Sequence, residues 1–184
     1  MKFQISTILA AFLLMGCSMT KKNYSTLPPL PDFGKLNCCW QSEETVTFNS
    51  PEGEHTFHAV VAVNDKKITV IVLDDFGRQM LTLISDDKGK IETLVSPQKW
   101  KSDYGHYLLL AIYLHNSPTG IWVKDKPQWL VRKIAERKSL YYTDKEEVTL
   151  IYQDPSDTQS RTRNVSFAKT KLTLTVSTIN RTSF

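Results

Sequence analysis

The stretch DYGHYLLLAIYLHNSP, residues 103–118, decides the fold of this chain. It predicts a helix, because Ser102 or Asp103 can cap its start and only Gly105 and His106 interrupt it. Apolar side chains fall on two sides of this helix: Tyr104, Leu108, Ala111 and Ile112 on one side, with His115 beside them, and Tyr107, Leu110 and Leu114 on the other. A helix that is apolar on nearly all sides must be buried on nearly all sides or lie in lipid. Because about 17 to 25 residues are needed to cross a bilayer, we expect this shorter helix to lie inside a protein core.

Alternating apolar and polar residues on both sides of the helix predict antiparallel strands. The turns between them hold Gly, Asn and Asp, which suit the positive φ angles of tight turns. Before the helix the strand segments are TVTFNS (45–50), HTFHAVVAV (55–63), ITVIVL (68–73), MLTLIS (80–85) and IETLVS (91–96). After it they are EVTLIYQD (147–154) and KLTLTVST (171–178).

Residues 127–143 fit two patterns. They form a helix if Leu130, Ile134 and Lys138 are in register, or two strands that turn near Glu136. We favour the strands. The predicted fold is therefore mainly β (α+β): a curved antiparallel sheet, or half-barrel, wrapped around a buried helical plug. It forms a single domain over residues 37–184.

The first residues predict export and a lipid anchor. An apolar run after Lys2 is typical of a signal peptide. It ends in Leu14, Met15, Gly16 and Cys17, which resemble the lipobox of bacterial lipoproteins. The resemblance implies a signal peptide over residues 1–16 and lipidation of Cys17. Ordinary cleavage of a signal peptide that contains a cysteine is the alternative.

The residues that follow Cys17 bear on where the anchored domain lies. Ser18 stands where lipoproteins retained in the inner membrane carry Asp, which implies an outer-membrane location with the domain facing the periplasm. Residues 17–36 contain three prolines and few large apolar residues, so we expect a flexible tether.

The order of strands, buried helix and strands resembles the lipoprotein-localisation fold of the periplasmic carrier and outer-membrane receptor that move lipoproteins. A small lipobox protein of this layout is also similar to the uncharacterised lipoproteins of aryl-polyene biosynthesis clusters. In the receptor of that fold a turn between two early strands exposes an apolar residue just before a glycine, and this residue helps to insert a lipid into the membrane. The matching turn here is LDDFGRQ, residues 73–79, which places that role on Phe76. A Phe76 ring folded back on its own hairpin is the alternative.

The resemblance and the inward faces of the strands give a candidate binding site for an acyl or polyene lipid. We expect the cavity lining to be Phe57, Val61, Val70, Val72, Leu81, Leu83, Leu108 and Ile112. Residues 99–138 hold eight basic and three acidic side chains, and from this excess Arg132 and Lys133 are candidates for binding a lipid headgroup. A solvated basic face is the plainer explanation. The expected partners are a membrane lipid or lipidated cargo, the outer membrane and a periplasmic carrier protein, and the compartment excludes nucleic acid.

The sequence predicts no enzyme, metal or cofactor. His55 and His58 are three residues apart on a strand and point to opposite faces, so they cannot hold one metal together. No nucleophile elbow or glycine-rich phosphate loop is found in the sequence. Cys38 and Cys39 are adjacent, which leaves a vicinal disulfide, a bond to another chain or two buried thiols, and we favour buried thiols. A structural lipoprotein that docks a protein partner without lipid cargo is the alternative function.

Overall fold

The computed structural model describes residues 27–31, 34, 36–87, 90–95, 102–153 and 162–184. The regular structure of these residues is one antiparallel sheet of eleven strands and one helix. The helix is α1 (Ser102–Asn116). The strands are β1 (Trp40–Ser50), β2 (Gly53–Val63), β3 (Lys67–Leu73), β4 (Gln79–Asp86), β5 (Ile91–Val95), β6 (Gly120–Val123), β7 (Lys126–Ile134), β8 (Arg137–Tyr142), β9 (Lys145–Tyr152), β10 (Arg163–Phe167) and β11 (Thr173–Ser183).

The sheet has the order β5-β4-β3-β2-β1-β11-β10-β9-β8-β7-β6, so its outermost strands among the described residues are β5 and β6. It is a pair of meanders joined where the first and last strands meet, with Val46 opposite Val176. Helix α1 lies between β5 and β6 in the sequence. The chain therefore passes from one edge of the sheet to the other through the helix.

The sheet curves around α1. Gly105 of the helix lies against Leu83 of β4, and Tyr113 meets Trp122 of β6 with ring centroids 6.4 Å apart. In a flat sheet β4 and β6 would lie about 43 Å apart, at nine spacings of about 4.8 Å. A helix only about 10 Å across contacts both, so the strands must wrap around it.

The core lies between the concave face of the sheet and the helix. The residues predicted to face inward are buried, including Val46 and Phe48 of β1 and Leu174 of β11. Leu108, Leu109 and other residues from Tyr107 to Leu114 are at most 8% exposed, on every side of the helix. The predicted mainly β fold with a helical plug is confirmed.

The two ends of the half-barrel are chemically different. At the Tyr104 end, α1 begins and β1 ends, and the Tyr104 ring stacks on Phe48 with centroids 5.4 Å apart. At the Trp40 end, α1 ends and β1 begins. There Arg181 donates a hydrogen bond to Asn116 at 3.2 Å and lies over the Trp40 ring.

The structure decides the two ambiguous parts of the prediction. Residues 127–143 form strands β7 and β8, which turn at Ala135 and Glu136, so the preferred interpretation is confirmed. The preference for two buried thiols was wrong. Cys38 is exposed, Cys39 is half-buried, and their sulfurs are joined as a vicinal disulfide. The two cysteines come directly before Trp40, the first residue of β1, and lie at the protein surface. Little apolar contact is available to bury their side chains there.

The predicted tether does not run free as far as residue 36. Pro28 and Pro31 are buried, and Leu27 and Leu30 pack against the core. Leu36 is itself a core residue with 5% exposure. Leucines in a proline-rich stretch can anchor it to a neighbouring surface, and their burial here outweighs the loss of chain freedom. Among the described residues no helix is both long and apolar enough to span a membrane.

Candidate functional site

The eight predicted lining residues lie together between the sheet and α1. Seven of them are at most 2% exposed: Val61, Val70, Val72, Leu81, Leu83, Leu108 and Ile112. Phe57 is half-buried and packs against the same core. The residues were chosen from strand alternation and helical periodicity, and both periods hold here. The structure therefore brings them into one apolar layer, which is closed to solvent along most of its length.

This apolar layer approaches the surface at the Tyr104 end. Phe48 is fully buried, and its ring contacts Phe57 edge to face at 6.1 Å and stacks on Tyr104. Phe57 and Tyr104 are half-buried, and the exposed ring of His55 lies 6.3 Å from Phe57. A line of aromatic rings thus leads from solvent to the core.

The turn between β3 and β4 projects from the same end, because β3 runs parallel to β1 in the alternating sheet. Asp74 organises it by accepting hydrogen bonds from the backbone of Phe76 and Arg78, each at 2.9 Å. Gly77 has φ 75°, a conformation that glycine adopts without strain. The result is a tight turn that carries an aromatic side chain at its tip.

Phe76 is 83% exposed and does not fold back onto its own hairpin. The guanidinium of Arg78 lies 5.3 Å from its ring centroid and binds Asp74 at 2.7 Å. The hydrogen bonds from Arg78 hold the pKa of Asp74 below its usual range. Asp74 is therefore an anion that its own turn pairs with a cation, whereas Asp75 is exposed.

The predicted headgroup pair does not form one site. Arg132 lies on the convex face, where it binds Asp144 at 2.9 Å and stacks over Tyr141 at 4.7 Å. Lys133 follows Trp129 and Val131 on the concave side of β7, opposite Lys138. Consecutive residues of a strand point to opposite faces, so these two cations cannot bind one headgroup. Binding of a headgroup by Arg132 or by Lys133 stays a prediction.

Lys138 has a role that the count of basic residues hid. It is only 7% exposed, and its ammonium group donates hydrogen bonds to the carbonyls of His115, at 3.1 Å, and Ser117. These carbonyls lie at the end of α1, where the helix leaves acceptors unpaired and carries partial negative charge. Burial, with a smaller contribution from the charge of Lys133, lowers the pKa of Lys138 to about 8.

A second buried charge lies near the Trp40 end. Arg163 is 1% exposed and donates a hydrogen bond at 2.9 Å to Glu44, which is 4% exposed. Ser42 donates to the same carboxylate, and Thr178 accepts from Arg163. Neither charge was recognised from the sequence, although Glu44 occupies an inward position in the alternation of β1. The core thus holds a buried ion pair near the Trp40 end, beside apolar side chains such as Val63 and Ile68.

The predicted signal peptide (1–16) and Cys17 lie outside the described residues, and so do Lys99 and Lys101, two of the eight basic residues of segment 99–138. The remaining geometry defines a class: an open, strongly curved antiparallel sheet around one buried helix, with an exposed aromatic turn at one end. The chain belongs to the family described as protein of unknown function DUF3261, whose model matches residues 41–180. A comparison with curated proteins gave no match.

Proposed function

We propose that this chain is a lipid-anchored, non-enzymatic protein that shelters an acyl or polyene lipid, or the acyl chains of a lipidated cargo, for transfer to the outer membrane. The lipobox-like residues ending at Cys17 support the anchor and the compartment. The resemblance to the lipoprotein-localisation fold, and to the lipoproteins of aryl-polyene clusters, supports the lipid cargo. The lipid would lie in the apolar layer between the sheet and α1.

One observation carries the proposal: Phe76 and the line of half-buried aromatic rings lie at the same end of the half-barrel. Moving an exposed phenylalanine ring into hydrocarbon is favourable by about 1.5 to 3 kcal/mol. The turn can therefore hold this end against a bilayer while Phe57 and Tyr104 face the same surface. An acyl chain that leaves the core at this end would enter the bilayer without crossing water.

One of the two carboxylates in the turn, Asp74, is neutralised for this contact, whereas Asp75 is exposed and opposes it. Burying an unpaired carboxylate in a membrane surface is costly, and anionic lipids repel it. Asp74 is 18% exposed at its side chain and paired with Arg78, so the turn presents its ring and a guanidinium rather than that carboxylate. Arg78 is well placed for the headgroup phosphates beside the ring.

The experiment measures both cargo and transfer with the full chain. Protein purified from bacterial membranes is extracted with organic solvent, and the extract is examined by mass spectrometry for lipid in a ratio near one per chain. Transfer is then followed from the loaded protein to vesicles of phosphatidylethanolamine and phosphatidylglycerol, using a pyrene-labelled acyl lipid.

Phe76→Ser is expected to slow this transfer about tenfold or more while leaving the amount of bound lipid unchanged. Phe184→Ser is the matched control, because Phe184 is also a phenylalanine, is 74% exposed and lies at the Trp40 end, next to Cys39. Its transfer rate should equal that of the unaltered protein. Equal transfer rates for all three proteins would refute the role of the turn in transfer. Absence of lipid from every preparation would refute the carrier function.

A second candidate is a structural lipoprotein that docks a protein partner. The nearly complete burial of the seven lining residues favours it, because a core filled by its own helix leaves no room for cargo. Ile134, Ile151 and Ile179, which are between 45% and 68% exposed, would then belong to a docking face on the outside. A lipid-free extract together with a crosslinked protein partner on these residues selects this function.

A further inference from the structure

Residues 27–31 form a strap over α1. The carbonyl of Pro28 accepts a hydrogen bond from Nε2 of His106 at 2.7 Å, and the carbonyl of Pro29 accepts one from the indole Nε1 of Trp122, also at 2.7 Å. Leu27 and Leu30 pack against the core on either side of these bonds. The strap thus covers part of the helix surface that would otherwise contact solvent.

The strap covers the side of α1 that faces away from the centre of the sheet. Tyr104 marks the side that faces β1, since its ring stacks on Phe48. At 3.6 residues per turn, His106 is turned by about 200° and Tyr113 by about 180° from Tyr104. These two side chains contact the strap and Trp122, respectively. The strap and Trp122 therefore wall off the helix where the central strands cannot reach it.

The strap is not one of the eleven strands, so it is attached to the core differently from the other walls. Its three prolines have no backbone N–H, so at those positions it cannot donate to a ladder as the strands do. Two side-chain hydrogen bonds, the buried rings of Pro28 and Pro31, and the partly buried side chains of Leu27 and Leu30 attach it. Each of these hydrogen bonds adds little net stability, because the same groups can bond to water when the strap is displaced.

The surface that the strap covers has a definite chemistry. A carbonyl oxygen only accepts, so Nε2 of His106 carries the hydrogen, and the indole of Trp122 donates as it must. Burial lowers the pKa of His106 and favours this neutral ring. Two fixed donors beside apolar surface suit a ligand that has carbonyl oxygens joined to hydrocarbon. An ester- or amide-linked acyl chain has that composition.

We propose that the surface formed by His106, Trp122 and the outer side of α1 is the entry site for an ester- or amide-linked acyl chain, and that residues 27–31 are its intramolecular competitor. The inference rests on the proposed carrier function and adds the route by which the chain reaches the core. The acyl carbonyl takes the place of the Pro28 or Pro29 carbonyl, and the hydrocarbon takes the place of Leu27 and Leu30.

Competition by a tethered segment lowers the apparent affinity by the fraction of molecules in which the site is free. Replacing Leu27 and Leu30 by serine weakens the attachment of the strap but leaves His106 and Trp122, the donors beneath it, unchanged. The apparent Kd of the full-length variant for the methyl ester of parinaric acid, a fluorescent polyene ester, should fall about tenfold or more. Leu27→Ser alone is the milder variant and should give a smaller decrease in the same direction.

The donors are tested separately in the variant with a weakened strap. Trp122→Phe keeps the aromatic ring and removes the N–H, and it should raise the Kd for the ester about fivefold. Diphenylhexatriene is the control ligand, because it is an apolar polyene without a carbonyl, and its Kd should not change. Hydrogen exchange at the backbone of α1 reports independently whether the strap has been displaced.

The outcomes separate the inference from the function on which it rests. Tighter ester binding that depends on Trp122 supports the inference. If hydrogen exchange shows a displaced strap but ester affinity stays at the level of the unaltered chain, the entry site is refuted while the carrier function stands on its extracted lipid. If no variant binds the ester and no lipid is extracted, both are refuted.

Discussion

Replacing Lys138 by methionine is expected to change the pH dependence of stability, because this lysine is a buried cation that caps α1. Its ordinary pKa of 10.5 falls to about 8 in the folded protein. The difference is about 2.5, which corresponds to roughly 3 kcal/mol at 1.36 kcal/mol per pKa unit. Desolvation of the ammonium group is the main cause, and the charge of Lys133 adds to it.

The sign follows from the protons bound by each state. Below pH 8 Lys138 is protonated in both the folded and the unfolded chain, and its burial penalty is fully present. Between pH 8 and 10.5 the unfolded chain keeps a proton that the folded chain has released. The unfolding free energy attributable to Lys138 therefore rises with pH, by about 2.5 kcal/mol between pH 7 and pH 10.

The assay is urea unfolding followed by tryptophan fluorescence at intervals from pH 7 to pH 10. The difference in unfolding free energy between the unaltered chain and Lys138→Met should increase by about 2 to 3 kcal/mol over this range. Burial raises the pKa of Tyr107, Tyr113 and Tyr152, which lowers stability at high pH, but both proteins share this effect and it cancels. Lys126→Met, at an exposed position, is the control and should parallel the unaltered chain. Parallel curves for Lys138→Met would refute the buried, destabilised cation.

Two further substitutions test the packing of the core. Gly105→Ala places a Cβ 2.9 Å from Leu83 Cδ2. Overpacking should outweigh the gain in helix propensity, so thermal unfolding should show a net loss of about 1 kcal/mol in stability, and adding Leu83→Val should restore most of it. An unchanged melting temperature for Gly105→Ala would contradict the close contact. Glu44→Gln removes the negative charge that Arg163 contacts and should lower the free energy of unfolding in urea by about 3 kcal/mol. The double variant Glu44→Leu with Arg163→Met should recover most of this loss. If the losses of the two single variants simply add in the double variant, the two charges are not coupled.

Much of the fold could be predicted because it follows from local patterns of apolar and polar residues. Apolar residues recur at every second position in β1 (Val46 and Phe48) and around β11 (Leu172, Leu174 and Val176). A strand with this period of two can bury only one face. The helix was recognisable because residues 107–114 are apolar on all sides, and a helix of that kind has to lie in a core. From these two facts the curved sheet around a plug follows.

The candidate site was predictable to the extent that it depends on these periods. The eight lining residues were brought together because inward strand positions and helix positions share one interior. Phe76 came from the family resemblance and the turn chemistry of Asp74 and Gly77, and its exposure agrees with the expected position of a tip. Its action on a membrane stays a prediction.

The rest depends on partners far apart in the sequence. Arg132 and Lys133 are neighbours in a basic run, but a strand sends them to opposite faces once residues 127–143 form strands. The buried pair of Glu44 and Arg163 is separated by 119 residues and carries no local signal. The strap could not be foreseen for the same reason, because a proline-rich stretch looks like a linker until its carbonyls meet donors from α1 and β6.

The central claim is that an acyl chain lies between the sheet and α1. The most direct measurement is photocrosslinking of the full chain with a diazirine-labelled fatty acyl ester, followed by peptide mapping. The account predicts that label falls on the inward residues of β2 and β3 and on α1, above all on Val61, Val70, Leu108 and Ile112. Label confined to outward residues such as Ile134 and Ile179, or no label at a saturating ester concentration, would contradict it.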